Sequence, residues 1–350
     1  MKVQQVDTRN ARIATVRDLR ALPKAHLHLH FTGSMRPATM RELARLHGIA
    51  LPPSLTDDAV GGWKDSEIRE WSYFQRRYDA ARAVVRTRYD VRRLVIEAAE
   101  DDASNGSGWL EIQFDPTSYA PRLGGVEAGL EIVLGAARDA ERATGIGVAI
   151  VVAGSWARPP EDAEALARLA ARYAGSGVVG FGLSNDERCG RVADFAQAFR
   201  TTREAGLLGV PHGGFFVGAR HVQECVELLG ARRVGHGITA VQDLQVLKLL
   251  VSRDIALEIC PTSYPPFGVV EALEKVPLRQ LYDTGVPVAL AADDPLLFRT
   301  HLADQYTLVR EVLGFSDAEL AQLARYSIRA SAAPGNVKAR LLGGVDAWLN

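Results

Sequence analysis

Histidine residues at alternate positions near the start of the chain have a type and spacing that suit metal binding. Residues 26–30 read His-Leu-His-Leu-His. In a β-strand alternate side chains share a face, so the three imidazoles would lie on the same side. Two imidazoles spaced one residue apart can bind one ion, and imidazole suits zinc and similar divalent metals. On its own, the pattern also fits a polar layer inside a barrel or a surface strand.

Further residues of the same chemical kind end other short apolar runs of the chain. His212 and His236 each end such a run, and the pair Asp293-Asp294 follows another. Together with the run that contains the three alternate histidines, four runs end in a metal-binding or acid–base residue, and packing does not explain this recurrence. The recurrence therefore predicts a metal site with an acid or base beside it.

The scaffold is predicted by short runs rich in Val, Ile and Leu that alternate with helical patterns. The runs cover residues 25–31, 109–115, 147–153, 178–183, 207–212, 231–236, 255–260 and 287–292. Their length is typical of strands, and Ala, Leu and Arg at helical spacing fill segments such as 160–174 and 192–205. The alternation predicts one α/β domain over residues 1–350, a (β/α)8 TIM barrel, with an open doubly wound sheet as the alternative. No G-x-G-x-x-G motif follows a strand, which disfavours a dinucleotide-binding version.

Two helical segments fall outside the regular alternation. Residues 32–108 predict a helical insertion after strand 1, with two or three helices, one of them over 65–85. This insertion would lie over the barrel mouth if it leaves the C-terminal end of the strand, where active sites of this fold lie. A helical tail over 316–349 is expected on the outside.

Composition excludes several classes of protein. Hydrophobic residues make up 47% and charged residues 24% of the chain, so it is not a disordered chain, a collagen or a coiled-coil rod. The formal charge of -1 shows no basic excess of the kind expected in a nucleic-acid binder. The longest apolar run, 147–154, is too short to span a bilayer.

Cysteine usage and the N-terminal segment bear on the compartment. The three cysteines form no C-x-x-C motif or disulfide framework, and the first 20 residues have no apolar core of a signal peptide. We therefore expect a cytoplasmic protein that acts on a small-molecule substrate and has neither nucleic acid nor membrane as a partner. Assembly into a homo-oligomer stays open.

Together these motifs resemble the adenosine deaminase family of the amidohydrolase superfamily, and the resemblance covers nearly the whole chain. Residues 22–30 resemble the opening motif, in which the last two histidines bind metal, and residues 212–215 match the family's His-Ala-Gly-Glu motif at its histidine. Asp-Asp-Pro at 293–295 matches a third motif, whose first aspartate is a ligand. The resemblance implies one Zn²⁺ per chain, and the implied ligands are His28, His30, His212 and Asp293.

The resemblance also implies roles in catalysis. His236, in a Gly-His-Gly segment, matches the catalytic histidine and would act with Asp293, while Asp294 would hold a purine nitrogen. Asn185 belongs to a segment that resembles a substrate-contacting loop. Zinc lowers the pKa of a bound water from 15.7 toward roughly 7. Metal-bound hydroxide would then attack an sp² carbon and cleave a C–N bond, with His236 accepting or orienting a proton.

A different zinc deaminase pattern, H-x-E with P-C-x-x-C, is absent from the sequence. The dipeptide Cys260-Pro261 has the wrong order and spacing for that pattern.

The sequence departs from the family at two positions. Phe215 stands where the family's Glu protonates the ring nitrogen beside the attacked carbon, and phenylalanine cannot transfer a proton. General acid catalysis is typically worth about 10² to 10⁴ in rate, so this loss would be severe for adenine rings. Thr32 stands where the family commonly has an acid that contacts the sugar. We expect Thr32, Phe215 and Tyr264, which lies in an aromatic loop after strand 7, to contact a substrate that has diverged from adenosine.

Three functions are compatible with these residues. The first is a zinc-dependent hydrolase that deaminates or hydrolyses a small nitrogen heterocycle, such as a cyclic amidine or iminium compound. The second is an ordinary adenosine or adenine aminohydrolase in which Glu187, Asp115 or Glu258 replaces the lost acid. The third is an inactive binding protein that retains zinc.

Overall fold

A barrel of parallel strands forms the centre of the molecule. The computed structural model describes residues 17–56 and 70–350. The strands are β1 Lys24–His30, β2 Ser107–Phe114, β3 Gly147–Ser155, β4 Val178–Ser184, β5 Leu208–Gly213, β6 Arg233–His236, β7 Ala256–Ile259 and β8 Val288–Leu290. They pair in chain order, all in parallel, and each overlaps one of the predicted runs. The predicted TIM barrel is confirmed.

The barrel closes between β1 and β8 through the backbone of residues that the sequence predicted as metal ligands. Leu29 forms a parallel bridge to Asp293. The backbone N–H of Asp293 donates to the carbonyl of His28 at 3.2 Å, and the N–H of His30 donates to the carbonyl of Asp293 at 3.1 Å. These bonds therefore fix the backbone at His28, His30 and Asp293.

Helices surround the barrel and cover its mouth. The α-helices of the described residues are α1 Pro37–Leu46, α2 Pro53–Thr56, α3 Trp71–Ala83, α4 Arg88–Ser104, α5 Ala120–Leu123, α6 Val126–Thr144, α7 Pro160–Arg172, α8 Ala196–Glu204, α9 Ala219–Leu228, α10 Leu244–Ser252, α11 Leu278–Asp283, α12 Pro295–Phe298, α13 Leu302–Glu311, α14 Asp317–Ala330 and α15 Gly335–Leu349. Local sequence begins several of them. The side chain of Thr87 forms a capping box with Asp90 at the start of α4, and Ser316 does so with Glu319 at the start of α14.

The segment between β1 and β2 contains α1 to α4. Of the helix predicted over 65–85, the structure has α3 over Trp71–Ala83, while residues 65–69 lie outside the described residues. Helix α3 lines the cavity at the barrel mouth, whereas α4 packs on β2 and α6 in the outer ring.

The C-terminal helices pack on the outside of the barrel as expected. Helix α14 contacts β1, β7 and β8, and α15 packs on α14. None of the helices among the described residues combines the length and the apolar character that crossing a bilayer requires. The three cysteines are free thiols; Cys225 and Cys260 are buried and Cys189 is exposed.

Candidate active site

Four side chains from three places in the barrel converge at its C-terminal mouth. His28 and His30 come from β1, His212 from β5, and Asp293 lies three residues beyond β8. The Nε2 atom of His30 lies 3.2 Å from Nε2 of His212 and 3.3 Å from Oδ1 of Asp293. The Nε2 atom of His28 lies 3.5 Å from the same carboxylate oxygen. The structure thus brings together all four residues that the sequence predicted as metal ligands. We call these four side chains the metal cluster.

This donor set fits a divalent ion such as zinc. Around an ion with bonds of about 2.0–2.1 Å, tetrahedral ligand atoms lie about 3.3–3.4 Å apart, close to the separations found here. The Nε2 atom of His28 is buried and has no hydrogen-bond partner among the described residues. A buried polar atom without a partner is costly, and an ion at this point would satisfy it.

A chain of buried ion pairs inside the barrel orients His28. Its Nδ1–H donates to Oε2 of Glu258 at 2.9 Å, which leaves Nε2 free to bind a metal. The other oxygen of Glu258 accepts from Nε of Arg233 at 2.6 Å, and Arg233 also pairs with Glu111. Both carboxylate oxygens of Glu258, a candidate replacement acid, are therefore bonded to His28 and Arg233, and Glu258 does not line the cavity.

Sequence reasoning missed Arg233 and Glu111. The available signal was a charged residue inside an otherwise apolar strand, which in a barrel indicates a buried pair.

His26 does not join the cluster. Its Nδ1–H donates to Asp102 at 2.7 Å, and its Nε2 accepts from the backbone N–H of Ala292 at 3.0 Å. His26 is buried, and its bond to Ala292 fixes the backbone just before Asp293.

His236 lies at the end of β6, beside the cluster. Its ring centroid is 4.9 Å from that of His28, and its Nδ1 has no partner among the described residues. Burial lowers the pKa of His236 to about 3, so the imidazole is neutral near pH 7. His236 and Asp293 both have positive φ, 65° and 62°, a strained conformation that concentrates at functional sites.

The pKa values of the two adjacent aspartates, Asp293 and Asp294, are shifted in opposite directions. Burial would raise the pKa of Asp293, but the imidazoles of His28 and His30 beside it hold that pKa well below its usual range. Burial and the neighbouring Asp293 raise the pKa of Asp294 well above its usual range. Asp294 approaches the chain so closely that a Cβ at Gly33 would lie 1.8 Å from its Oδ1. Neighbouring carboxyl groups with separated pKa values are typical of acid–base sites.

A cavity of about 320 Å³ opens above the cluster and has two unlike walls. The aromatic wall consists of Trp71, Phe74, Phe215, Phe216 and Phe267. The polar wall, at the ends of β2 to β4, consists of Gln113, Asp115, Ser155, Ser184 and Asn185. The volume suits a small organic ligand.

Three of the predicted substrate-binding residues line this cavity: Asp294, Asn185 and Phe215. The ring of Phe215 lies 4.5 Å from that of His236 between centroids. Asn185 has a φ of 73°, and its Oδ1 accepts from Nε1 of Trp71 at 3.1 Å, which ties helix α3 to the mouth.

The structure puts the other two predicted contacts behind the cavity surface. The hydroxyl of Thr32 is hydrogen-bonded to that of Tyr119, which itself lines the cavity. Tyr264 packs behind Phe215, and its hydroxyl accepts from the N–H of Cys260 at 3.0 Å. Gln113 was missed, because a lone glutamine in a strand gives no sequence signal.

Two further acids were candidates to replace the missing Glu. Asp115 lines the cavity and accepts hydrogen bonds from Thr117 and Ser118. Glu187 also lines it, and its Oε1 accepts from three successive backbone N–H groups, those of residues 215, 216 and 217, at 2.9, 2.6 and 2.6 Å. Burial raises the pKa of Glu187 to about 7 although these donors oppose the shift.

Comparisons with known proteins agree with this architecture. The sequence model of the family described as Adenosine deaminase matches residues 23–348. A Streptomyces coelicolor protein named putative adenosine/adenine deaminase is 56% identical over 95% of this chain and 98% of its own length.

Solved structures give the same result. An adenine deaminase from Arthrobacter aurescens is 30% identical with a TM-score of 0.86, covering 93% of this chain and 99% of that one. A Burkholderia ambifaria amidohydrolase with bound Zn is 25% identical with a TM-score of 0.85, covering 95% and 92%. This chain therefore belongs to the adenosine deaminase family, and it is a metal-dependent hydrolase that acts on C–N bonds.

Proposed function

We propose that this protein is a zinc-dependent deaminase of a small amino-substituted nitrogen heterocycle and that its substrate has diverged from adenosine. The observation that carries the proposal is Phe215. Its ring stands against His236, and by the motif resemblance it takes the place of the family's ring-protonating acid. Phe216 and Phe267 pack around it with ring centroids 4.6 and 5.3 Å away, so this side of the reacting centre is apolar.

Zinc, one ion per chain, would be held by His28, His30, His212 and Asp293. The arrangement of their ligand atoms and the orientation of His28 by Glu258 support this assignment. When bound, the metal supplies a water whose pKa is lowered to roughly 7, and therefore hydroxide near neutral pH.

The chain's own residues supply the proton transfers and the orientation. His236, neutral and buried, would take the proton that the attacking water gives up and return it to the departing amine, which leaves as ammonia. Asp294 keeps its proton under the influence of burial and of Asp293, so its carboxyl can donate a hydrogen bond to a ring nitrogen. The aromatic wall stacks on the ring and excludes water from it.

The absent acid decides which rings react. Hydroxide addition to an adenine ring places negative charge on the nitrogen beside the attacked carbon, and Phe215 offers no proton there. A non-aromatic cyclic amidine is already protonated at neutral pH and an iminium carbon is already cationic, so hydroxide addition to either does not depend on a proton from the protein. Substrates of this class therefore fit the site.

A second candidate is supported by Glu187 and by the names of the relatives. Glu187 lies directly behind the Phe215 backbone, and its pKa, raised to about 7, suits an acid at neutral pH. In this case the protein is an adenosine or adenine aminohydrolase in which Glu187 replaces the lost acid.

Ammonia release by the zinc-loaded protein separates the two candidates. The panel contains adenosine, adenine, modified adenosines, cyclic amidines with an exocyclic amino group, and cyclic imines, whose hydrolysis releases no ammonia and is followed by mass spectrometry of the products; His236→Ala is the inactive control. Turnover of an amidine or imine without turnover of any adenine supports the diverged substrate. Robust, His236-dependent turnover of an adenine compound supports the second candidate, and zinc-dependent binding without any turnover contradicts both.

Restoring the acid tests Phe215 itself. Phe215→Glu should create or raise adenine or adenosine deamination, because the carboxyl would stand where the ring nitrogen is protonated. Phe216→Glu is the matched control, since it adds the same charge to the same wall one residue away. No gain in a folded, metal-loaded Phe215→Glu protein would contradict the role assigned to this position.

A further inference from the structure

Gln113 is buried in the polar wall without any hydrogen-bond partner for its side chain. It is 2% exposed and lines the cavity, and neither its Nε2 nor its Oε1 has a partner among the described residues. Its backbone, by contrast, is fully used by the barrel: the carbonyl accepts from the N–H of Phe31 at 3.0 Å. The side chain, and not the strand, is left unsatisfied.

Another buried glutamine of the same chain shows what a structural amide looks like. Gln305 is fully buried, and its Nε2 donates to Thr262 and Thr300 at 2.8 and 3.0 Å. Its Oε1 accepts from the backbone N–H of Thr262 at 3.4 Å. Buried amides in native proteins are nearly always paired in this way, because an unpaired one loses its bonds to water without replacement.

The position of Gln113 shows what it can reach. It lies at the C-terminal end of β2, in register with His30, on the side of the mouth away from β5 and β6. Asp115 and Ser155 line the cavity on the same side. A ligand whose reacting carbon lies at the metal cluster would therefore present its β2-facing edge to Gln113.

We propose that Gln113 is a specificity-determining residue that binds a substituent of the substrate's heterocycle. The amide offers a donor and an acceptor side by side, and a substituent that carries both an acceptor and a donor, as neighbouring hydroxyl groups do, would satisfy both. The preferred substrate is then a hydroxylated, substituted heterocycle and not a bare base. This inference rests on the proposed function only for the identity of the reacting ring.

The first test is the stability of the ligand-free, zinc-loaded protein. Gln113→Met replaces the unpaired amide by an apolar side chain of similar volume, so we expect the Tm to rise by a few degrees. Gln305→Met is the matched control and should lower the Tm, because it leaves the partners of a satisfied amide unpaired. A fall in Tm for Gln113→Met like that of the control overturns the proposal.

The second test is ligand discrimination, measured with adenosine and 9-methyladenine, which share a ring and differ in the hydroxylated substituent. Wild-type protein should show a larger ligand-induced rise in Tm, and tighter binding by calorimetry, with adenosine. Gln113→Met should reduce that preference by about tenfold or more, the effect of losing hydrogen bonds that a site is built to make. Binding of 9-methyladenine should change by less than about twofold.

These readouts separate the inference from the proposed function, because neither needs turnover. Failure of every compound to release ammonia would contradict the proposed function and leave the test of Gln113 intact. Equal binding of the two compounds by the wild type, or a preference unchanged in Gln113→Met, would overturn the role of Gln113.

Discussion

The metal cluster and the cavity walls above it are built in different ways. The cluster residues lie on or beside strand ends, and buried bonds such as that between His28 and Glu258 hold them. The walls come largely from loops and from helix α3, and their polar groups, among them the Gln113 amide, are partly unpaired among the described residues. The departures from the family pattern that the sequence predicts lie outside the cluster, at Phe215 in the aromatic wall and at Thr32 behind the cavity surface.

This contrast indicates how the reaction and the substrate are separated in the molecule. The barrel holds the predicted ligands in place, His28 through interior ion pairs and Asp293 through backbone hydrogen bonds to β1. Phe215 packs on His236 and on other aromatic residues but not on the buried ion pairs, so this wall can change without disturbing the interior partners of His28. Substrate choice can therefore diverge while C–N hydrolysis is retained.

Removing a metal ligand gives the largest expected effect. His212→Ala should abolish bound zinc and reduce deamination to background, because three of the four ligand atoms cannot hold the ion with the same geometry. Metal analysis by mass spectrometry and ammonia release measure the two losses. His47→Ala is the control: His47 pairs with Asp90 at 2.9 Å and does not line the cavity. Full zinc content in His212→Ala would contradict the assignment of the cluster.

The partner of a ligand should matter less than the ligand. Glu258→Gln weakens the bond that orients His28, and we expect metal affinity to fall by about 10- to 100-fold. Competition with a chelator measures the change. Glu111→Gln is a matched control, because it disturbs the same Arg233 without touching His28. It should cost stability and leave zinc affinity close to that of the wild type; an equal loss of affinity in both variants would contradict a specific role for Glu258.

The sequence predicted the scaffold and the cluster well because both follow from simple periodicities. Apolar runs of strand length alternating with helical patterns predict the barrel, and the fold then brings His212, His236 and Asp293 to one mouth. Periodicity could not predict that the side chain of Gln113 lines the cavity or that Glu258 bonds to His28 and Arg233. They depend on which partner lies opposite a side chain after folding, and a single sequence does not specify that.

Glu187 joins the two regions, since it holds the backbone of the aromatic wall. Its pKa is about 7 in the folded protein against 4.5 in an unfolded chain, so the folded state binds more protons between these values. Stability from this group is therefore present at low pH and is lost as pH rises from about 4.5 through about 7. His221, 3.6 Å from its Oε2, and Asp186 are the other titratable neighbours.

We expect Glu187→Gln to flatten this part of the stability profile. The amide oxygen can still accept from the N–H groups of residues 215–217, so activity at neutral pH should fall by less than about tenfold if Glu187 only holds the backbone. Unfolding at pH 5 and pH 7.5, with equal zinc loading, measures the profile, and Glu224→Gln on the surface of α9 is the control. A loss of activity beyond about a hundredfold with an intact profile would favour Glu187 as the replacement acid.

The smallest expected effect concerns the attachment of helix α3 to the mouth. Trp71→Phe removes the hydrogen bond from Nε1 to Asn185 and keeps an aromatic ring against Phe267, with which Trp71 stacks at 5.5 Å. The lost bond is worth about 0.5–1.5 kcal/mol, so KM should rise by about 2- to 10-fold while kcat stays nearly constant. Trp348→Phe, which removes a comparable bond to Asp18 in the C-terminal tail, should leave KM unchanged. A fall in kcat with constant KM would instead place Trp71 with the metal cluster, and the separation between reaction centre and substrate wall would not hold at this position.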